Sequence, residues 1–176
     1  EQMYGPAGRT ARRIRERVRK ELGLTASVGI SSSKVVAKVA SDARKPDGQM
    51  EVPPGAEADF LAPLDVRKLP GVGTRTEMLL RGMGVRTIGD LAALPESVLR
   101  YRLGVWGEGL RRSARGQDGG RVHPLEPPKS ISRETTFAKD VTDRDFLRGV
   151  LRYLAERVGA ALRREGKWAR TVTCKV

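Results

Sequence analysis

Between Thr25 and Gly48 the chain reads TASVGISSSKVVAKVASDARKPDG, an order that few folds admit. Ala26–Ile30 reads as a strand, within a buried run that begins at Thr25. Ser31–Ser33 make a turn, and Lys34–Ala43 read as a helix with Val36, Ala37, Val39 and Ala40 on its apolar face. A Lys-Pro-Asp-Gly turn then closes the unit at Lys45–Gly48, where Pro46 and Gly48 fix a tight bend around Asp47.

Ahead of this unit, Ala7, Ala11, Ile14, Val18 and Leu22 recur at helical spacing, so residues 7–22 are expected to form an amphipathic helix stopped by Gly23. Its other face carries Arg9, Arg12, Arg13, Arg15, Arg17, Arg19 and Lys20. A phosphate-facing surface and the ordinary solvated face of a packing helix both fit, and the second is favoured for most of these residues. After Val52, Pro53-Pro54-Gly55 break the pattern and short helices follow. Residues 119–129 (GGRVHPLEPPK) have no period and read as a linker. Beyond it come a strand at Ser130–Phe137, a long helix opening at Thr142 as N-cap, and a last strand from Trp168. Such a strand–helix–strand unit leaves both sheet edges unpaired, so this module reads as incomplete. The first residue is not Met and the last lies in an expected strand, so neither end reads as natural.

The net charge of +13 and the pI near 10.7 favour a polyanionic partner, with the excess concentrated toward both ends. No membrane partner is expected, because no apolar run approaches the ~20 residues that span a bilayer and no signal peptide is visible. The single cysteine, Cys174, excludes an intrachain disulfide and fits a reducing, cytoplasmic setting. With one His and one Cys, a zinc site is not expected, and His123 reads as a loop residue.

Two further motifs can hold phosphate. Leu69-Pro-Gly-Val-Gly-Thr74 precedes a helix (Arg75–Arg81), then Met83-Gly84-Val85, then Thr87-Ile-Gly-Asp90 opening a helix over Ile88–Leu94. This is the helix-hairpin-helix pattern. Gly71 and Gly73 are expected to take φ > 0 and leave N–H groups bare beside a helix N-terminus, where a phosphate binds without its base being read. Trp106 and a helix over Glu108–Arg115 read as core with solvated arginines. In Lys129-Ser-Ile-Ser-Arg-Glu134, Lys129, Ile131 and Arg133 share one strand face, and Ser130, Ser132 and Glu134 the other, a set suited to holding phosphates across a groove. Lys45, on local grounds alone, reads as a surface turn lysine; Lys34 and Lys38 are ambiguous.

Taken in order, these segments resemble the Y-family of translesion DNA polymerases, in particular its DNA polymerase IV (DinB-type) branch, and the resemblance spans essentially the whole chain. Ser33 before Lys34, where many relatives have Asn, is a departure that leaves the assignment unchanged. The resemblance implies an α+β chain: the C-terminal part of a palm over residues 1–52, a helical thumb over 53–118, the linker, and a partial little finger of βαβ form over 130–176. It implies that Lys45 reaches the triphosphate of the incoming nucleotide. It also implies that Gly71, Gly73 and Arg75 in the hairpin, with Lys129, Ser130, Ser132 and Arg133, bind DNA. The implied partners are primer-template DNA, a deoxynucleoside triphosphate and, for the parent protein, a sliding clamp; the implied cofactor of the parent is Mg²⁺.

Nucleotidyl transfer of this kind needs carboxylates that hold two metal ions. The family draws them from an early Asp motif and an Asp-Glu pair before the helix that corresponds to residues 7–22, and neither is in this sequence. Asp140, Asp143 and Asp145 cluster at a helix N-terminus, where the dipole favours acids. No catalytic or metal-binding residue is therefore expected here: the chain reads as an internal piece of a polymerase, inactive alone. The alternative is a non-catalytic Y-family-like accessory protein of the mutagenesis machinery, against which the retained Lys-Pro-Asp-Gly turn argues. A more distant rival, a helix-hairpin-helix module of a nuclease or repair factor, leaves the segments flanking the hairpin unexplained.

Overall fold

A computed structural model describes residues 5–120, 122 and 127–175. They fall into two units, Glu1–Arg121 and Val122–Val176. His123, with Arg121 and residues 124–126 of the expected linker, lies outside the described residues.

In the first unit, helix α1 (Ala7–Leu22) ends as expected at Gly23, which takes φ 66° and donates its N–H to the carbonyl of Arg19. Strand β1 is shorter than expected, Val28–Ile30, and leads through a serine turn into α2 (Lys34–Ala43). The buried Ser33 caps α2, its hydroxyl accepting the Val36 N–H at 3.4 Å. After the turn comes a strand the sequence did not signal, β2 (Gln49–Glu51). It pairs in parallel with β1, Gly29 opposite Met50, and α2 makes the crossover.

A β-carbon on Gly29 would stand 1.9 Å from the Ala37 carbonyl oxygen, so only glycine lets α2 pack this close to the sheet. The expected apolar row of α1 is mostly uncovered: Ala11 is buried, but Ile14 is 51% and Leu22 66% exposed. A sheet of two short strands is too small to cover it. Sixteen helical residues run about 24 Å, whereas each strand has three residues, about 10 Å.

The chain then forms α3 (Glu57–Leu61), a 3-10 turn (Val66–Lys68), α4 (Thr74–Gly82), α5 (Ile88–Ala93), α6 (Glu96–Leu103) and α7 (Val105–Ala114). Leu61, Leu69, Leu80, Ile88, Leu91 and Leu99 are fully buried, each contributing about 2 kcal/mol through removal from water. They belong to one cluster with Val36, Val39, Ala40 and Val52, so the Pro53-Pro54-Gly55 breaker interrupts the helix pattern but not the core. Thr87 caps α5 through a full capping box with Asp90.

Two expectations for α7 need correction. Trp106 is 46% exposed and not core. Nor are its arginines merely solvated: Arg111 Nε donates to the Leu94 carbonyl at 2.8 Å, and Arg115 donates to that of Ala92 at 3.1 and 3.2 Å. These contacts satisfy carbonyls at the α5 C-terminus, which has no intrahelical donors left.

The second unit is built on α8 (Arg144–Arg164). Its N-cap is Asp143 rather than Thr142: the Asp143 carboxylate accepts the N–H groups of Asp145 and Phe146 at 2.9 and 3.1 Å. Phe137 packs its ring 5.7 Å from that of Phe146. The strands expected at Ser130–Phe137 and from Trp168 form no ladder among the described residues, so the βαβ expectation is corrected to a helix flanked by unpaired segments. A strand exists only through hydrogen bonds to a neighbour, and neither segment has one here. Accordingly Phe146, Leu151, Trp168 and Val172 are all exposed.

Candidate nucleic-acid interface

The Lys-Pro-Asp-Gly turn is held at three points. At its start, Lys45 extends from the end of α2 with its side chain 63% exposed, and its Nζ lies 2.5 Å from Asp42 Oδ1. That hydrogen bond holds the Asp42 carboxyl below its ordinary pKa. At its end, Gly48 is stitched to β1: its N–H donates to Ser27 Oγ at 3.2 Å, and its carbonyl accepts the Val28 N–H at 2.9 Å.

In the middle, Asp47 takes φ 51°, a left-handed conformation that Asp tolerates better than most residues. Arg15 reaches it from α1. Its Nη2 donates to the Asp47 carbonyl and, at 3.0 Å, to Asp47 Oδ1; its Nε donates to the Ala26 carbonyl at 3.1 Å. Arg19 adds an ion pair to Asp47 Oδ2. No local pattern signals this. Arg15 sits in a run of arginines that looks uniformly solvated, and its partner lies 32 positions away. The result is a largely exposed lysine, its ammonium paired with Asp42, on a turn braced on both sides, an arrangement that suits a phosphate oxygen.

In the hairpin, Gly71 takes φ 98° as expected, but Gly73 does not take positive φ. It is extended (φ −86°, ψ 178°) and stands as the N-cap of α4. The expected bare amides are also partly in use, since the Val72 N–H bonds to Leu69 and the Gly73 N–H to Gly71. The donors move one step along the chain. Gly73 supplies no side-chain cap, so the N–H groups of the first turn of α4, from Thr74 onward, meet no capping side chain. A β-carbon on Gly73 would find nothing within 4 Å, so the backbone there is open to an approaching group. Arg75, in that same turn, is exposed. One hairpin edge is stiffened by a charge cluster: Glu77 pairs with Arg67 and Arg81, and Arg81 also reaches Asp65 at 2.8 Å.

In the second unit, Lys129, Ser130, Ser132 and Arg133 are exposed while Ile131 is half-buried. Arg133 Nη1 donates to the Ser132 carbonyl at 2.7 Å. Among the described residues there is no cluster of three or more His, Cys, Asp or Glu able to hold a metal ion, and no helix is long and apolar enough to cross a membrane.

Three family models match the chain in succession. Residues 1–42 match the impB/mucB/samB family, 67–118 the thumb domain of DNA polymerase iota, and 128–176 the C-terminal domain of the impB/mucB/samB family. DNA polymerase IV of Dehalococcoides mccartyi strain CBDB1 is 47% identical over 176 residues, all of this chain and 45% of that protein. DNA polymerase IV of Methanoculleus marisnigri is 47% identical over 173 residues, 98% of this chain and 48% of that protein. Among solved structures, DinB from Sulfolobus solfataricus superposes with a TM-score of 0.53 at 27% identity, covering 59% of this chain and 31% of the other. The chain thus spans just under half the length of the curated relatives it matches. The order of the matched segments and the identity along the full chain agree, and the chain belongs to the Y-family of DNA polymerases, on its DNA polymerase IV branch.

Proposed function

We propose that this chain is the nucleotide- and DNA-gripping middle of a translesion DNA polymerase that copies a template across damage. The observation that carries the reading is Lys45, an exposed ammonium on a turn braced by Arg15, Arg19 and the Ser27–Gly48 bond, in the same unit as the hairpin. Lys45 would bind the triphosphate of an incoming deoxynucleotide, drawing its ammonium from Asp42 as it does so. The first-turn amides of α4 beside Gly71 and Gly73, with Arg75, would hold the phosphates of primer-template DNA without reading bases. Lys129, Ser130, Ser132 and Arg133 would add backbone contacts from a little finger. The division into palm (1–52), thumb (53–118), linker and little finger (130–176) is supported by the order in which the three family models fall.

Mg²⁺ belongs to this reading through carboxylates that the described residues do not supply. The acids near the turn and hairpin are already committed: Asp42 to Lys45, Asp47 to Arg15 and Arg19, Asp65 and Glu77 to Arg81. They do not fit a two-metal site, and no step through the metals is drawn from them. Relatives named DNA polymerase IV weigh against the accessory-protein alternative. A sliding clamp as partner and a cytoplasmic setting remain part of the proposal.

Single-nucleotide primer extension by the full-length protein tests the reading. Template-directed incorporation that loses nucleotide efficiency in Lys45→Ala is expected; incorporation indifferent to that change would overturn the role of Lys45.

A further inference from the structure

We propose that Arg15 is a positioning residue for the incoming nucleotide, acting through Asp47 to fix the turn that carries Lys45. The inference rests on the reading of Lys45 as the triphosphate ligand. Both ends of the turn are secured by residues close to them in the fold: Asp42 at Lys45, and Ser27 and Val28 at Gly48. Its centre is held by α1. One guanidinium there spans three acceptors, the Ala26 carbonyl, the Asp47 carbonyl and Asp47 Oδ1. It is also the best covered arginine of its helix: its side chain is 21% exposed, against 64% for Arg19.

A planar fork can satisfy acceptors on two chain segments at once, whereas an ammonium has no such geometry. Arg15 therefore couples α1 to both the lead-in of β1 and the turn. Without it Asp47 keeps, among the described residues, only Arg19, an exposed partner worth little, and the left-handed centre of the turn loses its backbone anchor. Lys45 then samples several positions relative to a bound triphosphate, and a misplacement of about 1 Å is enough to lower productive binding.

The test uses the full-length polymerase with Arg15→Ala, Arg15→Lys, Asp47→Ala, Asp47→Asn and Lys45→Ala. Arg15→Ala and Asp47→Ala are expected to raise the nucleotide KM about three- to tenfold, leaving kcat and DNA affinity within about twofold. Arg15→Lys should reproduce most of that loss although it keeps the charge. Asp47→Asn, which still accepts hydrogen bonds and tolerates φ > 0, should stay near the parent. In the Lys45→Ala background, Arg15→Ala should add less than about twofold, because residues acting through one contact are non-additive.

An unchanged KM in Arg15→Ala, or the same increase with and without Lys45, overturns the positioning role. So does a loss confined to DNA affinity. If Lys45→Ala itself leaves KM unchanged, the triphosphate reading fails and this inference with it; if Lys45→Ala raises KM and Arg15→Ala does not, only the inference fails. Should Arg15→Ala not fold, Arg15→Lys and the Asp47 pair carry the same comparison.

Discussion

Gly48 lies directly against Arg44: a β-carbon on Gly48 would stand 1.8 Å from the Arg44 carbonyl oxygen and 2.4 Å from the Arg44 β-carbon. The turn can therefore fold back on the end of α2 only with glycine at its last position. Gly48→Ala is expected to destabilise the protein by about 1–3 kcal/mol, the usual cost of overpacking a rigid contact. Gly29→Ala, which meets the backbone of Ala37 and Ser41, should cost a similar amount. Thermal or denaturant unfolding of both variants measures this.

The two halves of the proposed interface should separate by mutation. In the full-length protein, Lys45→Ala loses one charge-assisted phosphate contact. It should reduce nucleotide efficiency roughly ten- to a hundredfold, the equivalent of about 1.5–3 kcal/mol, while DNA affinity hardly changes. Steady-state nucleotide kinetics and a DNA titration on the same preparation show whether the loss is confined to the nucleotide.

The hairpin glycines should behave differently from each other. At Gly71, φ 98° makes any side chain strained, so Gly71→Ala is expected to lose about 1–2 kcal/mol of stability. At Gly73 the backbone is extended and a β-carbon meets open space, so Gly73→Ala should fold normally. It would still obstruct a phosphate approaching the α4 amides and weaken DNA binding about tenfold. An alanine at Gly73 that leaves DNA affinity intact would remove the phosphate from that site.

DNA binding should be insensitive to sequence and steeply weakened by salt. Backbone amides and scattered cations read no bases, and every neutralised phosphate releases counterions, giving a slope in log K against log salt of about −0.9 per contact. Titrations at several ionic strengths, on two duplexes of equal length and different sequence, check both points.

Stability should fall on the acid side. Asp65, Glu77 and Asp90 have pKa values held below their ordinary ones, chiefly by the Arg67 backbone N–H, the Arg67 side chain and the Thr87 backbone N–H respectively. The fold favours their ionised forms, so their contribution is complete above the ordinary values, 3.8 for Asp and 4.5 for Glu. It is lost as pH falls through the lowered ones. The Tm should be flat from pH 7 to 5 and fall below about 4.5, with Asp90→Asn showing a shallower acid limb. A Tm that rises on acidification would contradict the sign.

Elements whose signals are local were legible before folding is considered. The bounds of α1 and α2 follow from helical periodicity ended by Gly23 and by the Lys-Pro-Asp-Gly turn, and the α5 cap follows from Thr87 and Asp90 three positions apart. The turn that carries Lys45 is likewise written in consecutive residues, but the role proposed for that lysine comes from the family resemblance and not from the local pattern. What depends on distant partners was not legible. β2 exists because Gln49–Glu51 meet β1 across a helical crossover, and three residues carry no period of their own. The strands expected around α8 fail for the converse reason, since a pattern suited to a strand makes none without a neighbour to bond. The extended backbone of Gly73 was set by the helix it caps, and the centre of the Lys-Pro-Asp-Gly turn is held by an arginine 32 residues from Asp47. Those contacts join segments far apart in the chain, and no window of sequence short enough to carry a period contains both partners.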